Sequence, residues 1–335
     1  MIFPNIVHID ITGKCNLNCI HCRGRGSKDL TFSEIKECIL KLASSFGHNL
    51  KWIEISGGEP FLRKDIFKIL RFIKRETGLK IIIVSNGWFI SPKTVKKLEN
   101  LGIERVQISL DGAREETHNR IRQNLLAYKK AIRAIKLLAN SKIISIVRMV
   151  LNKYNLNEVE DLFRLSKQLK VSEIGIRSAV LAGNAKKNKL TLNVKKYLKI
   201  LKELPYLEKK YNLPFYSGDP LALIMDPRSI RYILKRYLTL KCLAGCSIGT
   251  AYIYINSEGY VCPCPNLQDI KLGHALKSEI VNLWRNSEIF KKCRSRDFSG
   301  KCGICEYKWI CGGCRAFARI LDHDLYGSDL RCPHT

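Results

Sequence analysis

Three cysteines near the start of the chain follow the spacing Cys15-x3-Cys19-x2-Cys22. Three thiolates on one short loop can bind three corners of a cubic [4Fe–4S] cluster and leave the fourth iron open to an exchangeable ligand. A zinc site would want a fourth ligand close by. His21 stands next to Cys22, but adjacent residues on a tight loop seldom point at one metal. A second dense pattern lies near the other end: Cys302-x2-Cys305-x5-Cys311-x2-Cys314, then Cys332, with Cys246 and Cys264 upstream. Its C-x2-C pairs suit iron–sulfur clusters or a pair of zinc knuckles. Ten of the 14 cysteines fall between Cys242 and Cys332, so this segment reads as a second unit held together partly by metal. The first ten residues lack a basic start followed by a long apolar run, so no signal peptide is expected. No apolar run approaches the roughly 18 residues of a membrane span. A cytoplasmic chain follows as the expectation, where thiols stay reduced and serve metal rather than disulfides. Cys38 reads as a small core residue on a helix. His8, His48, His118, His274, His323 and His334 show no mutual metal spacing.

The elements that must carry the first loop are short apolar runs: 6–12, 52–56, 81–85, 106–110, 145–151 and 173–179. They are rich in Ile and Val and read as strands buried on both faces, as in parallel sheets. Amphipathic helices alternate with them. Thr31 and Glu34 fit a capping box, Ser91-Pro92 fits a cap with proline in the first turn, and a helix from about Asp65 to Thr77 ends at Gly78. Six such units predict an α/β protein, a partial (β/α)6 parallel barrel or an open sheet, with ligands at the carboxyl ends of the strands. Gly13-Lys14-Cys15, Gly57-Gly58-Glu59-Pro60, Asn86-Gly87 and Asp111-Gly112 follow the first four strands, so glycine and polar residues gather at that end. The stretch 190–240 reads as helical, with a turn at Ser217-Gly218-Asp219-Pro220. The expected division is a barrel over 1–215, a connection over 216–241 and a cysteine-rich domain over 242–335.

With its following motifs, the Cys15–Cys22 loop resembles the radical S-adenosylmethionine (SAM) signature. Gly57-Gly58-Glu59-Pro60 matches the GGEP motif of that superfamily, and Ser109-Leu110-Asp111-Gly112 matches a segment common after its fourth strand. The resemblance implies that the amino and carboxylate groups of SAM chelate the open iron. An electron from the cluster then cleaves SAM to methionine and a 5′-deoxyadenosyl radical, which abstracts hydrogen from a substrate. A low-potential donor such as ferredoxin or flavodoxin would supply the electron. Cys15, Cys19 and Cys22 would hold the cluster, and the backbone of Gly57, Gly58, Glu59 and Pro60 would meet the SAM amino group. Ser85, Ser109, Asp111 and Arg148, near strand ends, would hold its ribose or carboxylate; each has an alternative as a cap or surface pair.

The second cluster resembles the SPASM domain that follows the barrel in many radical SAM enzymes, with the pattern C-x(9–15)-G-x4-C, then C-x2-C-x5-C-x3-C, then a final C. Cys246, Gly259 and Cys264 fit its first part. The second part departs by one residue between Cys311 and Cys314. Carried over by position, one auxiliary cluster takes Cys302, Cys305, Cys311 and Cys332. The other takes Cys246, Cys264 and Cys314 with Cys242, or alternatively Cys262, and Cys293 is left over. The resemblance thus implies three [4Fe–4S] clusters.

SPASM enzymes modify peptides, proteins or tetrapyrroles. No room for a leader-peptide-binding domain is expected before the first strand, and Pro265-Asn266 after Cys264 differs from the Asp of sulfatase maturases. The stretches Cys302–Tyr307 and Cys311–Ala316, Cys22-Arg23 and Gly218-Asp219-Pro220 resemble the haem-biosynthesis branch, although Thr117-His118-Asn119 to Arg122 lacks the Asp and glycines usual there. The net charge is +28, from 58 Lys+Arg against 30 Asp+Glu. Much of it reads as solvated helix faces such as Lys129, Lys130, Arg133 and Lys136; the rest suits an anionic substrate. The alternatives are a nucleic-acid-modifying radical enzyme, favoured by charge alone, and a non-catalytic iron–sulfur or zinc protein.

Overall fold

The computed structural model describes residues 2–226 and 245–334. Among these, ten strands form one sheet. They are β1 (Ile6–Asp10), β2 (Trp52–Ser56), β3 (Lys80–Ser85), β4 (Arg105–Ser109), β5 (Ile144–Leu151), β6 (Glu173–Ser178), β7 (Phe215–Ser217), β8 (Tyr252–Ile255), β9 (Tyr260–Cys262) and β10 (Gly273–His274). Their order is β10-β9-β8-β1-β2-β3-β4-β5-β6-β7. All neighbours from β8 through β1 to β7 pair in parallel, while β9 and β10 add antiparallel.

Side chains alternate across these strands. Val7 and Ile9 of β1, Ile53 and Ile55 of β2, Val106 and Ile108 of β4, and Val147 and Met149 of β5 join one hydrophobic core. Burying each such side chain contributes about 1.5–3 kcal/mol. Many of the alternate positions are polar: His8, Asp10, Glu54, Gln107, Arg148, Arg177 and Tyr254. The strands are buried on both faces, as expected, and the inner face adds charge and hydrogen bonds to that burial. It also demands curvature. Glu54 on β2 lies 4.0 Å from Arg148 on β5, three strands away; a flat sheet would separate those strands by about 14 Å. The sheet therefore curls around a shared polar interior, as a partial barrel does.

Helices cover the other face. In α1 (Phe32–Phe46) the Thr31 hydroxyl accepts from Glu34 N and the Glu34 carboxylate accepts from Thr31 N, the expected capping box. Such a cap is worth about 1 kcal/mol. The helix buries Ile35, Cys38, Ile39 and Leu42. Then α2 (Ile66–Thr77) ends at Gly78 with φ 64°, and α3 (Pro92–Asn100) starts at the Ser91 cap. These boundaries follow the sequence reading.

Two features depart from it. β7 lies inside the stretch read as helical; it is three residues long, too short for a period-two signal. β8, from the cysteine-rich segment, pairs in parallel with β1, so this segment completes the sheet beside the first strand. Its Trp284 and Phe290 are fully buried in the common core. Near the chain's end, Arg331 makes a two-pronged ion pair with Asp219 beyond β7, Nη1–Oδ2 2.6 Å and Nη2–Oδ1 3.2 Å, and a second pair with Asp329 at 2.7 Å.

Candidate active site

The Cys15–Cys22 loop leaves the carboxyl end of β1. The 57–60 loop leaves the adjacent end of β2 and binds it by backbone: Gly58 N donates to Thr12 O (2.7 Å) and Glu59 N to Lys14 O (2.8 Å). A Cβ on Gly58 would stand 2.0 Å from Lys14 O, so only glycine allows this approach. Cys22 N donates to Cys19 O, which turns the loop back on itself. Arg122, at the end of α4 (Glu115–Arg122), points its Nη1 at Cys19 Sγ (3.6 Å) and pairs through Nη2 with Asp111 (2.5 Å). Burial pushes the Cys19 thiol up, the Arg122 guanidinium opposes the rise, and the charges of Asp111, Cys22 and Cys15 add to it. A guanidinium aimed at a buried sulfur fits a residue that works as thiolate.

The four side chains expected at strand ends divide into two kinds. Ser85 donates to Glu59 Oε1 (2.9 Å) and is buried. Glu59 also accepts from Asn86 N and Phe61 N, so its carboxyl clamps the ends of β2 and β3 together. Burial nevertheless pushes it up to about 7. Asp111 is fully buried, accepts from Val150 N and pairs with Arg122, with His21 Nε2 3.5 Å away. Burial pushes His21 down to about 4 and His118 down to about 3, which leaves both imidazoles neutral. Ser109 and Arg148 are different. They are register partners on β4 and β5, and the Ser109 hydroxyl has no protein partner among the described residues.

Below the loop lies the polar interior. Arg23 Nη2 reaches both oxygens of Asp10 (2.9 Å each). Tyr254 donates to Asp10 Oδ2 (2.5 Å), and His8 lies between Asp10 and Glu54 at 3.0 Å from each. Burial would raise Asp10, but Arg23 and His8 hold its carboxyl well below the usual range. Arg148 Nη1 donates to Gln107 Oε1 (3.4 Å), which also accepts from Tyr216 Oη (3.0 Å). Of this set sequence reasoning named Arg148 as a site residue and left His8 without a role. The signal was the alternation itself, in Ile-Val-His-Ile-Asp and Val-Arg-Met-Val.

Among the later cysteines, Gly313 N donates to Cys311 Sγ and Asp329 N to Cys302 Sγ, each at 3.4 Å. Gly312 and Gly313 both have positive φ, 65° and 56°, and a Cβ on Gly313 would meet Cys302 Sγ at 3.0 Å. Left-handed glycines thus turn backbone N–H groups toward sulfur. Burial raises the Cys332 thiol, and the neighbouring Cys302 and Cys305 raise it further. The charge of Cys246 is felt by Cys264, Cys314 and Cys293 alike. Burial pushes Cys264 up to about 12, with Cys246 adding to it, and raises Cys314 with Cys246 again among the causes. Cys262 is fully buried and faces the carbonyls of Tyr260 and Gln268 at 3.7 Å. Cys293, fully buried, is pushed up to about 12 by burial and then by Cys246. Cys242 lies outside the described residues. Among those residues no three His, Cys, Asp or Glu side chains converge on a single-ion site; the fit to clusters rests on the guanidinium at Cys19 and the N–H···S contacts at Cys302 and Cys311.

A thiol triad at the carboxyl end of a curled parallel sheet, above a polar interior and beside a cysteine-rich segment, defines an iron–sulfur enzyme of barrel type. Residues 9–166 match the radical SAM superfamily, and residues 246–314 match the SPASM iron–sulfur cluster-binding domain. The chain is 30% identical to an AdoMet-dependent heme synthase of Methanosarcina barkeri, over 98% of this chain and 96% of that protein. It is 25% identical to a PqqA peptide cyclase of Bradyrhizobium diazoefficiens, over 98% of this chain and 86% of that one. Its fold is similar to that of Streptococcus suis SuiB bound to S-adenosylmethionine, with a TM-score of 0.78 and 19% identity over 99% of this chain and 77% of that chain. The chain belongs to the radical SAM superfamily and carries a SPASM domain. It is an enzyme of the type that includes heme synthases and peptide maturases, working with SAM and [4Fe–4S] clusters. Among the described residues no helix is long and apolar enough to cross a membrane.

Proposed function

We propose that this enzyme acts on a carboxylate-bearing tetrapyrrole, abstracting hydrogen in a haem-pathway reaction. The observation that carries this reading is the 98% span of the similarity to a protein named as a heme synthase, which takes in barrel and SPASM segment alike. The polar interior with Arg23, Arg148 and Arg177 supports it, because a substrate rich in carboxylates suits a cationic enclosure. In this reading Cys15, Cys19 and Cys22 hold the SAM-binding cluster, which supplies the electron for SAM cleavage. The 57–60 backbone receives the SAM amino group, and Ser109 with Arg148 receives its carboxylate. Ser85 and Asp111 serve by fixing Glu59 and Arg122 rather than by touching SAM. Cys302, Cys305, Cys311 and Cys332 hold one auxiliary cluster; Cys246, Cys264 and Cys314 hold the other, with Cys242 as fourth ligand. The division at 1–215, 216–241 and 242–335 belongs to the same reading, with β8 as the strand the last segment lends to the barrel. A ferredoxin or flavodoxin is the proposed donor.

Anaerobic reconstitution tests it. Reduced enzyme with SAM and iron coproporphyrin III should yield 5′-deoxyadenosine and a porphyrin of altered mass. Formation of 5′-deoxyadenosine with an unaltered porphyrin would overturn the tetrapyrrole assignment. The similarity to a peptide cyclase favours a peptide substrate as the second reading.

A further inference from the structure

The charges of the interior do not cancel. Arg23 is matched by Asp10, and Glu54 stands between His8 (3.0 Å) and Arg148 (4.0 Å). Arg177, half-buried near the carboxyl end of β6, makes no side-chain hydrogen bond or ion pair among the described residues, and its Nε is buried without a partner. Its register partner is Val150, two pairs beyond Arg148–Gly175, so Arg148 and Arg177 occupy successive inward positions of neighbouring strands. Each is felt by the other elements of the interior: Arg177 acts on Arg148, Glu54, Tyr216 and Tyr252. Gly218 lies against the guanidinium, where a Cβ would stand 2.4 Å from Nε, so the contact offers backbone and no acid. The sequence from 227 to 244 contains no Asp or Glu, so that stretch cannot supply a carboxylate either.

A guanidinium set into a protein interior beside a second one is unfavourable unless an anion meets it. Its planar fork matches a carboxylate with two parallel hydrogen bonds. We propose that Arg177, flanked by Arg148 and Tyr216, is the seat for a carboxylate of the substrate, one position further toward the mouth than the pair assigned to SAM. Occupation would restore neutrality and anchor the substrate at a defined distance from the reacting end of SAM. This rests on the reading that the enzyme takes a carboxylate-bearing substrate; a porphyrin propionate and an acidic peptide side chain would present the same group.

Equilibrium binding to the reconstituted full-length enzyme tests it. The probes are iron coproporphyrin III and its tetramethyl ester, followed by the Soret band. A labelled Glu-containing peptide and its Gln counterpart are followed by anisotropy. Arg177→Gln should weaken the porphyrin acid about 10- to 100-fold, the value of a charged hydrogen-bonded pair, and leave the ester unchanged. Arg177→Lys should recover part of the loss. If acid and ester weaken equally, or the acid binds as before, the seat is overturned while the tetrapyrrole reading stands. If the porphyrins do not bind but the Glu peptide binds in an Arg177-dependent way, the seat stands and the tetrapyrrole reading falls. If neither acid probe binds wild-type enzyme that cleaves SAM, the seat is overturned.

Discussion

Arg331→Met removes the cation that ties the C-terminal segment to the end of the barrel. In the intact protein this side chain is 2% exposed, stacks 3.5 Å from the Phe317 ring centre and meets two carboxylates. Asp219 and Asp329, both buried, would be left facing each other's field without it. Breaking a buried pair from one side costs about 3–5 kcal/mol. Asp219 would keep its bonds from Ser178 (2.8 Å) and Tyr197 (2.6 Å), which places the expected cost toward the lower end. At ~2.1 cal/mol/K of unfolding entropy per residue, that is a fall in Tm of about 4–7 °C for a chain of 335 residues. The pH dependence is the sharper test. Burial would raise Asp219, but Arg331 and then the hydrogen bonds hold it below 3.8, so its stabilisation is full above that value and is lost as pH falls through the native one. In Arg331→Met the carboxyl rises instead, and protonation relieves the unpaired charge. The gap between wild type and variant should narrow from pH 7.5 to pH 5.5, measured by circular dichroism melts at one scan rate. A gap that is constant between these pH values, or smaller than about 1.5 °C at pH 7.5 (~1 kcal/mol by the same entropy), would refute the assignment of this pair as a buried tie.

Cys19→Ala should abolish 5′-deoxyadenosine formation and lower iron by about four per chain; persistence of the nucleoside would remove the cluster from that loop. Wild-type protein should carry about twelve irons, three clusters of four, and a value near four would eliminate the auxiliary clusters. Gly58→Ala drives a methyl group into Lys14 O at 2.0 Å, so the two loops must part. Its expected result is a SAM affinity at least tenfold weaker by calorimetry, with unchanged affinity as the disproof. Arg122→Met should leave Asp111 buried and unpaired, lowering stability by about 3 kcal/mol and making cluster loading at Cys15–Cys22 slower than in wild type.

What the sequence revealed was local chemistry. A cysteine loop, a glycine pair and a capping box each declare themselves within a few residues, and Cys15–Cys22, Gly57–Pro60 and Thr31–Glu34 all fold as read. The interior did not declare itself, because its meaning lies in register. His8, Glu54 and Arg148 come from three strands and become neighbours only when the sheet curls. Sequence cannot say that Ser85 bonds Glu59 or that Asp111 pairs with Arg122, because both partners come from other loops. β7 was hidden by brevity, and β8 by its place among cysteines that drew the eye to metal.

The pairing of β8 with β1 also sets a clock. Tyr252 and His8 touch across 244 residues of chain. At roughly 5–20 residues per second, a ribosome needs about 12–50 s to make that distance. During that time the strand that launches the first cysteine loop has β2 on one side and an open edge on the other. The order of synthesis therefore leaves that edge of β1 open until the cysteine-rich segment has emerged and β8 closes it.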